Sequence, residues 1–299
     1  MLNTLGQIHN RPFYLYRIIK ESSEALGVLL NYCRQGSENL VLLPHEQISM
    51  SHAMKIKKLL QTETITLPPC ALIAELDFSV LNWQENSEQI SRWYDNKNHS
   101  EHYLYRLKGD DNTQALAEQL ARQEALLIAD GHHRAFASSL PHAPLATMPV
   151  WLTSTSVAVN SFALSLKTKA GFDWHALQQQ LKNFAIVACS PSDAHYVFSY
   201  RRQQTSYCYS AARGDSYKIQ HQIRTALKQI ENVANLSPVP QKQLPALARS
   251  ADTLLIELTA PRISDIIDAA KKGHYFPEKS TYFPHKTCAR VLNELSAAC

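Results

Sequence analysis

The most informative stretch of the sequence is "LLIADGHHRAFASSL", which runs from Leu126 to Leu140. Its first residues form a short apolar run, which predicts a buried β-strand over 126–130. The small and helix-compatible residues that follow predict a helix over 133–140. A strand that passes directly into a helix places the residues between them at the carboxyl edge of a sheet. Ligand sites of α/β proteins concentrate at that edge.

Strand and helix patterns alternate on both sides of this junction, which predicts a mixed α/β (α+β) fold. Predicted strands cover 13–19, 25–33, 70–76, 102–108 and 253–260, with a hairpin over 195–211. Predicted helices cover 44–63, 87–96, 112–125, 173–184, 217–233 and 262–273. Asn112 or Thr113 is the expected N-cap of the third helix.

Composition excludes several classes of protein. The 299 residues include 30 Lys and Arg against 26 Asp and Glu, a net charge of +4 that does not predict nucleic-acid binding. No stretch is long and apolar enough for a signal core or a membrane span. The six cysteines lack paired spacings, which indicates a reducing compartment and a cytoplasmic protein. The eight glycines form none of the common Gly-rich phosphate loops.

Five consecutive residues at the junction combine an acid, a glycine, two imidazoles and a guanidinium. The first turn of a helix attracts phosphate, and Arg134 adds a bidentate donor. Asp130 is a candidate ligand for a divalent cation or a proton acceptor. His132 and His133 are candidates for acid/base catalysis or phosphate contacts, while Gly131 permits a tight turn. In the alternative interpretation, Asp-Gly is an ordinary turn, Asp130 caps the helix, and the other side chains have structural partners.

"IADGHHR" (128–134) resembles the signature of the domain of unknown function 1015 family. Three further segments are similar to that family in the same order. They are "YLYRIIKESSEALGVLLNY" (14–32), "LLPHEQ" (42–47) and "AAKKGHYFPEKSTYF" (269–283). The family looks like a relative of the ParB/sulfiredoxin-like fold, which includes free serine kinases that use ATP or ADP. The resemblance therefore implies a nucleotide-binding core with an α/β C-terminal extension.

The sequence also departs from the family pattern. His52-Ala53 and Lys55-Ile56 stand where the family usually has Lys-Glu and Asp-Arg pairs. The stretch "PVWLTSTSVAVNS" (149–161) lacks the expected His-Arg, and a "PPYDV"-like N-terminal segment is not part of this sequence. Part of the family's polar site is thus missing, so either the substrate differs or catalysis has been lost.

The resemblance implies roles for two further groups of residues. Glu46 would be the base that takes a proton from a substrate hydroxyl, as carboxylates do in kinases. Alternatively, it only favours a helix N-terminus electrostatically. Lys279, Ser280 and Thr281 would hold nucleotide phosphates. In their alternative interpretation, they belong to a rigid loop bounded by prolines.

We therefore expect a nucleotide-dependent small-molecule kinase that acts on serine or a similar hydroxyl compound, with ATP or ADP and Mg²⁺ bound near Asp130. The alternative is an inactive nucleotide- or phosphate-binding regulatory protein. The expected domains are a ParB/sulfiredoxin-like core over 1–145 and an α/β domain over 146–299 that contributes the Lys279–Thr281 loop. No membrane or nucleic-acid partner is expected, and a homodimer stays open.

Overall fold

The computed structural model describes residues 5–6, 13–33, 40–61, 66–140, 147–169, 172–201, 203–209, 216–229, 236–239, 243–247, 250 and 252–298. The chain divides into two compact units, of which the first comprises Met1–Ala158 and Phe283–Cys299 and the second Val159–Tyr282. The predicted boundary between 145 and 146 lies outside the described residues. In the observed division, the C-terminal segment Phe283–Cys299 belongs to the same unit as the N-terminal part of the chain.

The first unit is built around a large mixed sheet. Its strands are β1 Leu5–Gly6, β2 Tyr14–Lys20, β3 Ser23–Cys33, β4 Val41–Leu43, β5 Cys70–Ala74, β6 Ser87–Asp95, β7 Ser100–Leu107, β8 Ala125–Asp130 and β9 Thr147–Ser154. Its helices are α1 Met50–Gln61, α2 Asp110–Ala121, α3 His132–Ser139 and, from the C-terminal segment, α8 Arg290–Ala297. The strand order is β4-β8-β5-β9-β3-β2-β7-β6, with β1 paired to β3.

The second unit has its own sheets and core. Its strands are β10 Asn160–Ser161, β11 Ala163–Lys167, β12 Ile186–Ala188, β13 Tyr196–Tyr200, β14 Gln203–Tyr209, β15 Ser237–Val239, β16 Thr253–Leu258 and β17 Thr281–Tyr282. Its helices are α4 Trp174–Asn183, α5 Ser216–Lys228, α6 Leu244–Leu247 and α7 Ile263–Lys271. Six strands form one sheet in the order β12-β14-β13-β16-β11-β15, and β10 pairs with β17. The predicted mixed α/β fold is confirmed.

The hairpin predicted over 13–33 is confirmed by strands β2 and β3, which pair from Tyr14 opposite Leu29 to Lys20 opposite Ser23. Its only glycine is required by packing. A Cβ atom on Gly27 would lie 2.4 Å from Nε1 of Trp151, which donates a hydrogen bond of 2.9 Å to the carbonyl of Tyr16. Any larger side chain at this position would displace the buried indole and break that bond.

Three local predictions differ from the structure. The helix predicted over 87–96 is wrong, because these residues form β6 and pair with β7. The helix predicted over 44–63 begins only at Met50. Helix α2 begins at Asp110 after an N-cap at Gly109, so neither Asn112 nor Thr113 is the cap. The two aspartates at the start of α2 lie where the helix dipole favours negative charge.

No helix among the described residues combines the length and the apolar character that crossing a membrane requires.

Candidate functional site

Two loops meet because the strands that precede them are parallel neighbours. Strands β4 and β8 pair in register, with Leu43 opposite Leu127. Both strands therefore end at the same edge of the sheet. Glu46 is the third residue after Leu43, and Asp130 is the third residue after Leu127. The antiparallel strand β5 begins at this edge, with Ala71 opposite Asp130. The convergence of polar residues at the carboxyl edge of the sheet is thus a consequence of register.

Asp130 is held by two cations from different parts of the chain. Its Oδ1 accepts a hydrogen bond of 2.6 Å from Nζ of Lys286, and its Oδ2 accepts one of 2.9 Å from Nη2 of Arg134. Burial acts to raise the pKa of the Asp130 carboxyl, but Lys286 and Arg134 outweigh burial and lower the pKa below its usual value. Asp130 is therefore ionised at neutral pH, and its two oxygens already have partners.

Arg134 is engaged mainly with the protein itself. Besides Asp130, its Nη1 donates to the carbonyls of Pro68 and Pro69, the latter at 3.2 Å. Three of the five guanidinium N–H groups are thus directed at protein oxygens. The predicted phosphate contact of Arg134 stays a prediction. The two remaining N–H groups of the guanidinium would have to make it.

Gly131 is required where the strand turns into helix α3. Its φ of 94° lies in the left-handed region, which side chains with a Cβ rarely adopt. A Cβ at this position would also lie 2.9 Å from both Nη2 of Arg134 and Sγ of Cys70. The glycine therefore lets Arg134 fold back against the turn to reach Asp130.

His45 and His132 form a pair of uncharged imidazoles. Their rings lie 4.5 Å apart and edge to face, and Nδ1 of His45 donates 2.7 Å to the carbonyl of Ile128. Nε2 of His132 accepts from the backbone N–H of His45 at 3.4 Å, which places its proton on Nδ1. Burial lowers the pKa of His45 to about 4 and that of His132 well below its usual value. A charged His132 is disfavoured at neutral pH, and its predicted role in acid/base catalysis or phosphate contacts stays a prediction.

His133 connects the junction to helix α1. Its Nε2 accepts a hydrogen bond of 3.1 Å from the backbone N–H of Ser49, and its ring stacks on His52 at 4.4 Å. His52 stands where the family pattern has a lysine. An imidazole pair therefore occupies a place where the resemblance implies a charged side chain.

Glu46 lies in the loop between β4 and α1, and not at a helix start as predicted. Its Oε1 is 3.9 Å from Nε2 of His45, and 16% of its side chain is exposed. Because His45 is neutral, this contact is not an ion pair at neutral pH. The carboxylate is thus largely enclosed and still accessible from one side.

An apolar pocket of about 240 Å³ opens beside this site. His132 contributes to its wall, together with Phe136 of α3, Met148 of β9 and Tyr32 of β3. Mostly apolar walls with a few polar groups are typical of pockets that bind small molecules. His132 therefore lines the pocket and also belongs to the polar cluster, by which we mean His45, Glu46, Asp130, His132, Arg134 and Lys286.

Residues 3–145 match a family model described as "Protein of unknown function (DUF1015)". This part of the chain is similar to the DUF1015 family. The family model contains the junction and the Glu46 loop. No curated protein sequence matches the chain.

A solved structure supports the fold of the chain. The structure of "SbnI with C-terminal truncation from Staphylococcus aureus" is similar with a TM-score of 0.53 and 11% identity, over 90% of this chain and 93% of that chain. At such low identity the similarity shows a shared fold only. A free serine kinase mutant in complex with ADP has a TM-score of 0.47 and 12% identity, over 92% of this chain and 91% of that chain.

The predicted Lys279–Thr281 loop belongs to the second unit. Ser280 is buried, and its hydroxyl donates 2.6 Å to the carbonyl of Pro277. Thr281 is buried in β17, opposite Ser161 of β10. The backbone carbonyl of Lys279, a residue with φ of 54°, accepts from Arg224. These contacts agree with the alternative interpretation of a rigid loop, and the phosphate-binding role stays a prediction.

Sequence reasoning missed Lys286, the residue that binds Asp130. Lys286 follows directly after the "KSTYF" motif in "PHKTC", and its neighbour Thr287 donates 2.7 Å to the carbonyl of Pro69. Phe283 from the same segment packs edge to face on His45 at 5.7 Å. The only available signal was a lysine next to a family motif, because nothing in the local pattern shows that the segment returns to β8.

Proposed function

We propose that the chain is a nucleotide-dependent phosphotransferase that acts on serine or a similar small hydroxyl compound. The observation that supports this best is the Lys286–Asp130 pair at the start of α3, on the same sheet edge as Glu46. This arrangement combines a cationic phosphate site with a carboxylate base, which are the groups that phosphoryl transfer requires.

The phosphate end of the nucleotide would bind at the start of α3. The first N–H groups of a helix have no acceptor within the helix, and the dipole favours negative charge there. Lys286 and Arg134 together exceed the single negative charge of Asp130, and the neighbouring imidazoles of His45 and His132 are neutral. The groups at the start of α3, counted without the carboxylate of Glu46, therefore keep one positive charge in excess, which suits phosphate. The pocket next to His132 would receive an apolar or aromatic part of the ligand.

Glu46 is the proposed base. It would accept the proton of the substrate hydroxyl while the hydroxyl oxygen bonds to the terminal phosphorus. The bond from that phosphorus to the bridging oxygen would break, and the nucleotide would leave with one phosphate fewer. Lys286 would neutralise the charge on the transferred group, and Asp130 would hold Lys286 in place.

Asp130 by itself is a poor site for Mg²⁺. Each carboxylate oxygen already accepts from a cationic donor, and two nearby cations repel a third. The predicted role of Asp130 as a metal ligand stays a prediction, and no step is assigned to the ion. The contacts of Asp130 fit a role in positioning Lys286 better than a role in binding a metal ion.

A regulatory nucleotide-binding protein without turnover is the second candidate. It is favoured by the neutral His132 and by the engagement of Arg134 with Pro68 and Pro69, which leave few groups for chemistry. Both candidates require nucleotide binding, so turnover distinguishes them.

The test is an assay of the whole chain with ATP or ADP, Mg²⁺ and a panel of amino acids and other small hydroxyl compounds. Calorimetry measures nucleotide affinity, and phosphorus NMR follows the transferred group. We expect Glu46→Gln to lower the turnover number by a factor of about 10²–10⁴ and to leave nucleotide affinity within about twofold, as for loss of a general base.

Glu85→Gln, at an exposed position of the same unit, is the matched control and should keep full turnover. Nucleotide affinity without turnover on any compound would support the regulatory candidate. Absence of nucleotide binding would contradict both.

A further inference from the structure

A second polar cluster lies in the first unit and has no part in the proposed reaction. The side chains of Asp95, His102 and Cys288 each offer one ligand atom, and these three atoms lie within 4.8 Å of one another. Asp95 ends β6, His102 lies on β7, and Cys288 comes from the C-terminal segment. The β6–β7 hairpin and a segment distant from it in sequence thus bring an oxygen, a nitrogen and a sulfur close together.

The hairpin explains why two of these residues face the same way. Trp93 pairs with His102 and Asp95 pairs with Ser100 in the β6–β7 register. Side chains two positions apart on a strand point to the same side of the sheet, so all four residues line one face. Cys288 lies against this face, where Nε1 of Trp93 donates 3.3 Å to its sulfur.

His102 is completely buried and has a hydroxyl partner on each ring nitrogen. Nδ1 lies 2.5 Å from the hydroxyl of Tyr16, and Nε2 lies 2.8 Å from Oγ of Ser100. A neutral imidazole is the form of histidine that binds metals. Whichever nitrogen binds a metal, the other keeps a hydroxyl that fixes the ring, as is usual around metal-binding histidines.

The other two groups are held in place by hydrogen bonds. Oδ1 of Asp95 accepts 2.9 Å from the N–H of Lys97, and its Oδ2 accepts 2.7 Å from Nδ2 of Asn98. The sulfur of Cys288 receives the indole N–H of Trp93, and it also lies 3.7 Å from the hydroxyl of Tyr16.

We propose that Asp95, His102 and Cys288 bind one zinc ion, which fastens the C-terminal segment to the β6–β7 hairpin. Sulfur, imidazole nitrogen and carboxylate oxygen are the ligands that Zn²⁺ uses in proteins. Ligand atoms on a tetrahedral zinc are roughly 3.5 Å apart, so an inward shift of about an ångström completes the site. Tyr16 or a water molecule supplies the fourth ligand, and binding releases the thiol proton of Cys288.

The zinc site would also affect Lys286 and its contact with Asp130 at the end of β8. Cys288 is two residues from Lys286, and Thr287 between them bonds to Pro69. Fixing Cys288 on the hairpin therefore restricts the positions that Lys286 can take. Zinc binding itself does not depend on the proposed phosphotransfer, so the two proposals fail separately.

The test uses Co²⁺ as a spectroscopic probe with the reduced, chelator-treated full chain. We expect one equivalent of Co²⁺ to give the intense visible bands of a tetrahedral site and a thiolate charge-transfer band in the near ultraviolet. One equivalent of Zn²⁺ should abolish these bands. Zn²⁺ should also raise the thermal midpoint of the wild-type chain.

Cys288→Ser should abolish the charge-transfer band, whereas Cys189→Ser, a control thiol in the second unit, should leave it unchanged. Asp95→Asn is a second, isosteric variant that keeps an oxygen for the N–H of Lys97. It should weaken Co²⁺ binding at least tenfold in a chain whose circular dichroism is unchanged. Absence of the bands in the wild type, or a charge-transfer band that survives in a folded Cys288→Ser chain, would overturn the proposal.

Discussion

Nζ of Lys286 lies 2.6 Å from Oδ1 of Asp130, although 156 positions separate the two residues in the sequence. The contact joins the C-terminal segment to the junction between β8 and α3, beside the N–H groups at the start of that helix. In the proposed function this lysine is the main cation for phosphate.

Lys286→Met is expected to weaken nucleotide binding about tenfold or more, because it removes a cation that neutralises phosphate. It should also lower the free energy of unfolding by about 1–2 kcal/mol, because Asp130 keeps only Arg134 as a partner. Calorimetric titration and urea unfolding measure the two effects.

Lys279→Met is the matched control for this variant, since Lys279 is the lysine that the family motif indicates. Equal nucleotide affinities of Lys286→Met and the wild type, together with a large loss in Lys279→Met, would show that the motif lysine binds the phosphate instead.

Gly131→Ala is expected to lower the free energy of unfolding by about 3 kcal/mol. About 1 kcal/mol comes from the left-handed backbone, and the rest from contacts of the new Cβ with Arg134 and Cys70. Gly273, with φ of 71° and no atom within 4 Å of an added Cβ, provides the control. Gly273→Ala should lose only the backbone part, and equal losses in the two variants would contradict the steric argument. Urea unfolding monitored by circular dichroism compares them.

The β2–β3 hairpin and the β8–α3 junction could be predicted because their signals are local. Apolar strands bounded by turn residues, and a strand that passes directly into a helix, depend on neighbours in sequence. The register of β4 against β8 has no such signal, yet it determines that Glu46 and Asp130 share an edge. The return of Lys286 to Asp130 is equally invisible to local patterns.

The error at 87–96 shows how pairing overrides composition. Glu88, Gln89 and Arg92 favour a helix by intrinsic propensity, but these residues pair with β7 along its length. The turn residues that follow, with Asp95 accepting from Lys97 and Asn98, were the signal for a hairpin. A single-residue irregularity in the pairing between Gln89 and Ser91 also disturbs the two-residue alternation that would have indicated a strand.

The side chain of Gln119 in α2 bonds to the backbone of the segment after β5, as a neighbouring strand would. Its Oε1 accepts 2.7 Å from the N–H of Asp77, and its Nε2 donates 3.0 Å to the carbonyl of the same residue. Gln119→Leu leaves both backbone groups without these partners, and we expect a loss of about 1–2 kcal/mol in the free energy of unfolding. Gln114→Leu on the same helix, where the amide bonds only to Glu118, should change it by less than about 0.5 kcal/mol. Chemical denaturation of the two variants measures the difference, and similar values would contradict the proposed pairing.

Acid is expected to destabilise the first unit through His45. The folded-state pKa of about 4 is below the usual 6.5, so between these values the unfolded chain binds a proton that the folded chain does not. The stabilising contribution is complete above pH 6.5, decreases as the pH falls and is lost below about pH 4. A shift of this size corresponds to a change on the order of 3 kcal/mol in the free energy of unfolding. The charged groups that face the ring are Lys286, Asp130 and Glu46, and the neutral His132 lies beside it.

His45→Asn keeps a side-chain N–H near the position of Nδ1, so the bond to Ile128 can form without a titrating ring. In this variant the free energy of unfolding should fall less steeply between pH 6.5 and 4.5 than in the wild type. His175→Asn, at an exposed position of α4, should leave the wild-type slope unchanged. Urea unfolding at a series of pH values measures the slopes. An unchanged slope in His45→Asn would mean that burial of this imidazole does not determine the acid sensitivity.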